Sequence, residues 1–260
     1  MTTGLFITLF VLGFIGSFLS GMLGIGGAII NYPMLLYIPA ALGVGSFTAH
    51  EVSGILAVQV FFATLSGVLA LRKEKLINFK LVTYMGISII VGSFLGGYGG
   101  KFLSGHAINL VYAVLATIAA VMMFIPKKGM EDESVEELQF NRIVAIISAF
   151  AVGAASGIVG AGGAFLLVPI MLVILKIPTR VTIASSLAVT FISSIGSMVG
   201  KLMAGHIPFW STVVIVVASV LAAPLGAKLS KRVNTKILKV ILSLLIVATT
   251  VKIWIDILFS

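Results

Sequence analysis

Cysteine is absent from the 260 residues, and charge is scarce: 10% of the chain, with eight acidic side chains against seventeen basic ones. Without a thiol there is no disulfide framework, no thiolate nucleophile and no cysteine metal site. A soluble domain carries about 25% charged and about 45–50% apolar residues, whereas 60% are hydrophobic here. A soluble monomer of this length cannot hide so much apolar surface, because small folds leave much of it wet. The composition excludes a disordered chain, a secreted disulfide domain and a nucleic-acid-binding module. The three histidines include no pair at metal-ligand spacing, so no metal is expected. There is no phosphate-binding G-x-x-x-x-G-K-S/T, no H-E-x-x-H and no serine with His and Asp nearby. Neither an enzyme nor a nucleotide-driven pump is expected, and no cofactor.

What is present reads as an all-α polytopic membrane protein. Eight apolar segments run over about Gly4–Pro39, Phe47–Leu71, Phe79–Phe102, Ile108–Ile125, Ile143–Leu175, Val181–Met203, Phe209–Leu229 and Ile237–Phe259. A bilayer-spanning helix needs about 20 residues. Six segments fit that length; the first and fifth are too long, and each holds a glycine cluster near its middle. The first is no removable signal peptide, since it lacks a basic start and its apolar run continues too far. The net charge is +9, yet five of the eight acids, Glu131, Asp132, Glu133, Glu136 and Glu137, crowd into one hydrophilic stretch. That stretch divides the chain into a first repeat (1–126), an acidic linker (127–142) and a second repeat (143–260).

The halves are related. Ser20-Gly-Met-Leu-Gly-Ile-Gly-Gly-Ala28 matches Ser156-Gly-Ile-Val-Gly-Ala-Gly-Gly-Ala164, and Pro33 matches Pro169, all at an offset of 136. Further on the offset is 130: Ile77 with Ile207, Phe79 with Phe209, Leu95-Gly96 with Leu225-Gly226, Lys101 with Lys231. Loop charge orients them. If each long segment enters and returns, folding at its glycines, Lys101, Lys201 and Lys252 fall on one side and the other fourteen of the seventeen Lys and Arg on the opposite side. That is a positive-inside pattern; eight single crossings orient nothing. Each half then makes three net crossings. The expected architecture is two inverted-topology repeats, each a glycine-broken helical hairpin followed by three transmembrane helices, with both termini outside.

Broken helices in inverted repeats are the architecture of secondary transporters. A helix that resumes after a glycine break presents free N–H groups and a positive dipole end, and two such ends near the midplane suit an anion. The candidate substrate residues are therefore Gly24, Gly26, Gly27 and Ala28 in the first break, and Gly160, Gly162, Gly163 and Ala164 in the second. Polar residues inside apolar segments join them: Asn31, whose counterpart is Leu167; Gln59, near the middle of its segment; and Ser185 and Ser186, with Thr190 nearby. Glu51 is the one acid within an apolar segment away from the loops and the C-terminus, and intramembrane acids are functional candidates. With His50 it forms a candidate proton-coupling pair; the competing reading is an acid in the first turn of a helix. Trp210 and Trp254 read as interfacial anchors, and Gly92–Gly100 as a small-residue face for a homodimer.

The repeated S-G-x-x-G-x-G-G-A-x-x-x-x-P, as Ser20–Pro33 and Ser156–Pro169, resembles the sulfite exporter TauE/SafE family, also called the toluene sulfonate uptake permease family. The likeness covers nearly the whole chain. Ala184-Ser185-Ser186-Leu187 is similar to the family's A-x-S-L-type stretch; the first half departs from it with Ala49-His50-Glu51-Val52. The resemblance implies transport of small sulfur-containing anions, organosulfonates or sulfite, across the cytoplasmic membrane of a prokaryote. An inside-negative potential favours export of an anion by about 2.3 kcal/mol per charge per 100 mV. The alternatives are an anion channel and a carrier of another small organic anion.

Overall fold

A bilayer offers no water to unpaired backbone groups, so apolar runs close their hydrogen bonds internally, as helices. The structure, a computed structural model, describes residues 2–23, 28–71, 76–124, 139–205, 207–230 and 232–259. Among these residues ten helices follow the eight apolar segments, because each long segment divides in two. They are α1 (Thr3–Leu23), α2 (Ala28–Ala41), α3 (Ala49–Leu71), α4 (Phe79–Gly99, prolonged by a 3-10 turn Gly100–Phe102) and α5 (Gly105–Phe124). After the linker come α6 (Arg142–Val159), α7 (Ala164–Pro169, continued by a π turn Ile170–Ile174), α8 (Thr179–Ala204), α9 (Phe209–Ser230) and α10 (Thr235–Phe259). Seven of them are long and apolar enough to cross a bilayer. The chain is an all-α, multi-pass membrane protein. Residues 125–138, most of the acidic linker, lie outside the described residues.

Local chemistry sets the boundaries. The Asn78 side chain caps α4 by accepting from the Leu81 N–H at 2.9 Å, and Asn141 caps α6 by accepting from Ile143 and Val144. Gly160 ends α6 in the left-handed region, at φ 76°. Pro169 lacks an N–H; immediately beyond it the helix widens into the π turn, in which the Leu175 N–H reaches back five residues to the Ile170 carbonyl.

The packing repeats across the halves, at the offsets read from the sequence. The first helix of each half lies on the fourth helix of the other, α1 on α9 and α6 on α4. A Cβ on Gly96 would overlap the Ala154 carbonyl oxygen, and one on Gly226 would overlap that of Phe18. A Cβ on Gly157 would overlap the Ser93 carbonyl oxygen, and one on Gly21 that of Ala223. Each pair of contacts interconverts by 136 on the first helix and 130 on the fourth. Backbones touch at all four points, as small residues permit between helices in lipid.

The same contacts give helix directions. Gly92, Gly96 and Gly100 meet residues 150, 154 and 158 in ascending order, so α4 and α6 run parallel. Gly13 and Gly21 meet residues 215 and 223, so α1 and α9 do too. The central pair differs. Ser53 bonds Lys201, Phe61 meets Phe191 and Gly67 meets Leu187, so α3 and α8 cross antiparallel. Residues 86, 90 and 98 of α4 meet 192, 196 and 200 of α8 in ascending order, so α8 runs parallel to α4 and therefore to α6 as well. The segment between them, α7 with its π turn, is thus a return leg. At 11 residues against 18 it is the shorter arm of its hairpin.

Three sequence expectations need correction. The Gly92–Gly100 face offered to a homodimer is consumed within the chain: Gly92 and Gly96 lie on α6, Gly97 on α8. Trp254 is half-buried and donates its indole N–H to Thr117 Oγ1 at 2.8 Å; Trp210, 70% exposed, fits an interfacial position. Lys201, counted as a loop charge, lies inside α8 and is 3% exposed.

The backbone contacts make a stability prediction. Gly96→Ala and Gly226→Ala will each lower the melting temperature in detergent, by about 1–3 kcal/mol of overpacking. Gly99→Ala, with no neighbour within 4 Å of its Cβ, will not.

Candidate functional site

The two long helices α3 and α8 cross near their midpoints, at Val60 and Thr190. The second glycine break arrives at this crossing. Gly160, Gly162 and Gly163 all have positive φ, between 62° and 80°, a conformation that L side chains rarely adopt. Space is as limiting as conformation. A Cβ at 160 would overlap the Ser53 carbonyl oxygen, and one at 162 would come within 2.9 Å of Val60 and 3.0 Å of Thr190. Glycine is thus required twice over. The break delivers the first turn of α7, where helix N–H groups have no intrahelical acceptor, beside Thr190.

From the other half, α2 brings Asn31. The side chain is wholly buried, and among the described residues neither its oxygen nor its nitrogen has a hydrogen-bond partner. It lies on α1 over Gly16, where a Cβ would overlap Asn31 Oδ1. The next residue, Ser17, belongs to a buried chain of hydroxyls and amide. Gln59 Nε2 donates to Ser17 Oγ at 2.9 Å, and Ser17 Oγ donates to Ser219 Oγ at 2.7 Å. Gln59 Oε1 and Thr190 Oγ1 are also without partners among the described residues. An orphaned buried polar group costs about 1–3 kcal/mol. Asn31, Gln59 and Thr190, on α2, α3 and α8, bring such groups to the region where the helices cross and the chain breaks.

Beside Asn31, aromatic and hydrogen-bond contacts join α2 to α5. Tyr32, next to Asn31, stacks on Tyr112 of α5 at 4.6 Å and donates to Asn109 Oδ1 at 2.7 Å. The Tyr112 hydroxyl donates to the Ile29 carbonyl. Both bonds pin the start of α2 to α5. The centre offers amide donors, hydroxyls and helix N–H groups, with no carboxylate among the residues named. Among the described residues no cluster of His, Cys, Asp or Glu could hold a metal ion.

Comparison with known proteins agrees on what such a chain does. The profile of the sulfite exporter TauE/SafE family matches residues 9–253. The chain belongs to the sulfite exporter TauE/SafE family. It is similar to a probable membrane transporter protein of Bacillus subtilis, YunE, with 25% identity over 78% of this chain and 80% of that protein. It is also similar to a probable membrane transporter protein of Methanocaldococcus jannaschii, with 27% identity over 75% and 72%. One of Xylella fastidiosa is 29% identical over 67% and 65%. No solved structure matches. This TauE/SafE chain is thus a membrane transporter and not an enzyme.

The site residues read from the sequence separate into groups. Gly24, Gly26 and Gly27 lie outside the described residues. Ala28, Asn31, Gln59, Gly160, Gly162, Gly163 and Ala164 belong to the central region or the breaks that feed it. Ser185 and Ser186 lie about a turn before Thr190 on α8, and both have partners: Ser185 Oγ accepts from the Asn78 N–H at 3.0 Å, and Ser186 Oγ donates to its own helix at Ile183. Glu51 closes a capping box at the start of α3. It accepts from the Thr48 N–H at 2.8 Å and the Thr48 hydroxyl at 2.9 Å, while its own N–H points at Thr48 Oγ1. It is half-buried and sits two turns from Gln59, so the two share no environment. His50 lies beside it in the same first turn. Sequence reading passed over Ser17, Ser193, Ser197 and Lys201. Their signal was spacing: Ser193, Ser197 and Lys201 recur every four residues, one face of a helix.

The glycine geometry gives a test. Gly43→Ala, at φ 65° with open space around it, carries backbone strain alone, about 1–2 kcal/mol. Gly162→Ala, at φ 62° and crowded, will cost more, read as a larger drop in melting temperature.

Proposed function

We propose that the chain is a secondary carrier of a small sulfur-containing anion, an organosulfonate or sulfite, working in a prokaryotic cytoplasmic membrane with export as its favoured direction. The observation that carries this reading is Asn31. A wholly buried amide with no partner among the described residues on either side-chain atom stands at a cost in stability, beside a serine–glutamine chain and opposite a glycine break. A solute rich in acceptors meets unpaired N–H and O–H groups there. With no carboxylate among those residues, an anion suits the centre better than a cation.

The carrier alternates by rocking one repeat against the other about the glycine breaks. The antiparallel crossing of α3 and α8, the equivalent helices of the two halves, supports inverted-topology repeats. The return-leg character of α7 supports the hairpin reading and, through loop charge, both termini outside. A carrier, unlike a channel, exchanges solute across the membrane. Purified protein in vesicles preloaded with sulfite, taurine, isethionate or sulfate will show counterflow of the matching labelled anion for at least one sulfur compound. Uptake that does not respond to preloading would favour a channel.

Asn31→Leu removes the unpaired amide at similar volume. It will abolish counterflow while the melting temperature holds or rises, since replacing an unsatisfied polar group by an apolar one is neutral or stabilising. Retained counterflow would remove Asn31 from the site. His50 and Glu51 remain the proposed proton-coupling pair. Glu51→Gln preserves the capping box, where Gln also serves, so stability will change little; if Glu51 carries the coupling proton, the pH dependence of exchange will disappear.

A further inference from the structure

We infer that α8 carries a second anion subsite, distinct from the central one, formed by the Lys201 ammonium and a line of unpaired hydroxyls leading to it. The inference rests on the reading of the chain as an anion carrier. Lys201 Nζ is packed between three neighbours. It donates to Ser53 Oγ at 2.9 Å and to the Ile158 carbonyl at 2.7 Å, and it stands over Gly100 where a Cβ would come within 2.9 Å. Both acceptors are neutral. No carboxylate reaches the ammonium among the described residues. An ammonium has three N–H groups, and two are used. A buried charge costs several kcal/mol unless an opposite charge compensates it.

Between Lys201 and the centre, Ser197, Ser193 and Thr190 lie on the same face of α8. All three are wholly buried, and none of their hydroxyls has a partner among the described residues. In apolar helices hydroxyls usually bond back to their own backbone, as Ser194 does to Phe191; these three do not. At the offset of 130 their counterparts on α3 are Gly67, Ala63 and Val60, and that of Lys201 is Leu71. Only one half carries the line, so the repeat frame alone does not require it. Hydroxyls and an ammonium together supply donors and positive charge. The matching ligand is a compact oxyanion, sulfonate- or sulfite-like, passing between the centre and the end of α8 where Ser53 and Gly160 lie.

The absence of cysteine supplies the test. Ser197→Cys and Ser193→Cys, each the sole thiol in the full chain, are purified in detergent and reacted with 2-sulfonatoethyl methanethiosulfonate, itself a small sulfonate, or with its trimethylammonium counterpart. Labelling is read by mass spectrometry and normalised to the rates with free cysteine. The anionic reagent will react faster than the cationic one, and adding Lys201→Gln will cut that preference about tenfold, while Lys201→Arg will retain it. Ala63→Cys on α3 will stay unlabelled until the protein is denatured in SDS. No labelling at either serine position, no preference for the anion, or a preference untouched by Lys201→Gln overturns the subsite and leaves Lys201 as a cap on α6. Sulfite counterflow by the wild-type protein is measured alongside. Charge-selective labelling without counterflow supports the subsite and rejects sulfite as the cargo.

Discussion

Everything in this molecule hangs on two places where helix backbones touch. Lipid tails are as apolar as leucine, so helices in a bilayer gain nothing by burying apolar surface from one another; they associate through close packing and hydrogen bonds. Close packing needs the side chains out of the way. Gly96 and Gly157 remove them between α4 and α6, Gly21 and Gly226 between α1 and α9. These two seams join the first helix of each half to the fourth helix of the other. Neither half closes a seam alone, so the halves fold around each other rather than side by side. The seams also fix how far each hairpin reaches. Gly160 follows Gly157 by one turn, so the contact of Gly157 with Ser93 sets where α6 ends and where the break begins.

On that symmetric frame the chemistry is asymmetric. The Ser17–Ser219 hydrogen bond occupies the place where the other seam has Gly153 against Ile89. One seam thereby acquires a polar link that reaches Gln59, whereas at the equivalent point the other has only glycine against isoleucine. Asn31 faces Gly16, whereas its counterpart Leu167 joins the apolar core. Thr190 stands where α3 has Val60. A duplicated frame relieves each half of having to supply every function. One copy of each position suffices for packing, and the other is free to carry a group that packing would reject. The unpaired polar atoms gather in those departures.

Much of this was legible as pattern. Apolar run length marks every described helix, and the second glycine cluster marks its break, because a bilayer leaves few alternatives to a helix and glycine adopts the left-handed backbone found at 160, 162 and 163 without a steric penalty. The offsets of 136 and 130 reappear as equivalent backbone contacts, since repeats that pack on each other must conserve register. What stayed hidden depends on which way a side chain faces. The loop-charge count treated Lys201 as a loop residue because it stands near the end of its apolar segment, with only Leu202, Met203 and Ala204 before Gly205; the ammonium instead turns inward to the Ile158 carbonyl at the end of α6. Gly92–Gly100 looked like a face for a second copy because a small-residue run is the same whether its partner is in the same chain or another. Glu51 looked like a lone intramembrane acid because a capping box is visible only once Thr48 is known to stand at a helix start.

On the proposed carrier reading, the unpaired groups also bear on how the chain would move. A polar atom with no partner raises the energy of the packing that buries it, and so narrows the gap to any other packing that hydrates or occupies it. Asn31, Gln59 Oε1, Thr190, Ser193 and Ser197 are all in that condition here, and Gln59, Thr190, Ser193 and Ser197 lie along the crossing helices α3 and α8. The seams, by contrast, are backbone against backbone, a contact that is lost steeply with separation and has no half-open form. Motion that keeps the seams and opens the crossing therefore costs least: each body would comprise the first helix of one half and the fourth of the other, moving as a unit. On the carrier reading proposed above, each repeat that rocks would carry with it the seam helix it borrows from the other half, so that α1 stays with α9 and α4 with α6.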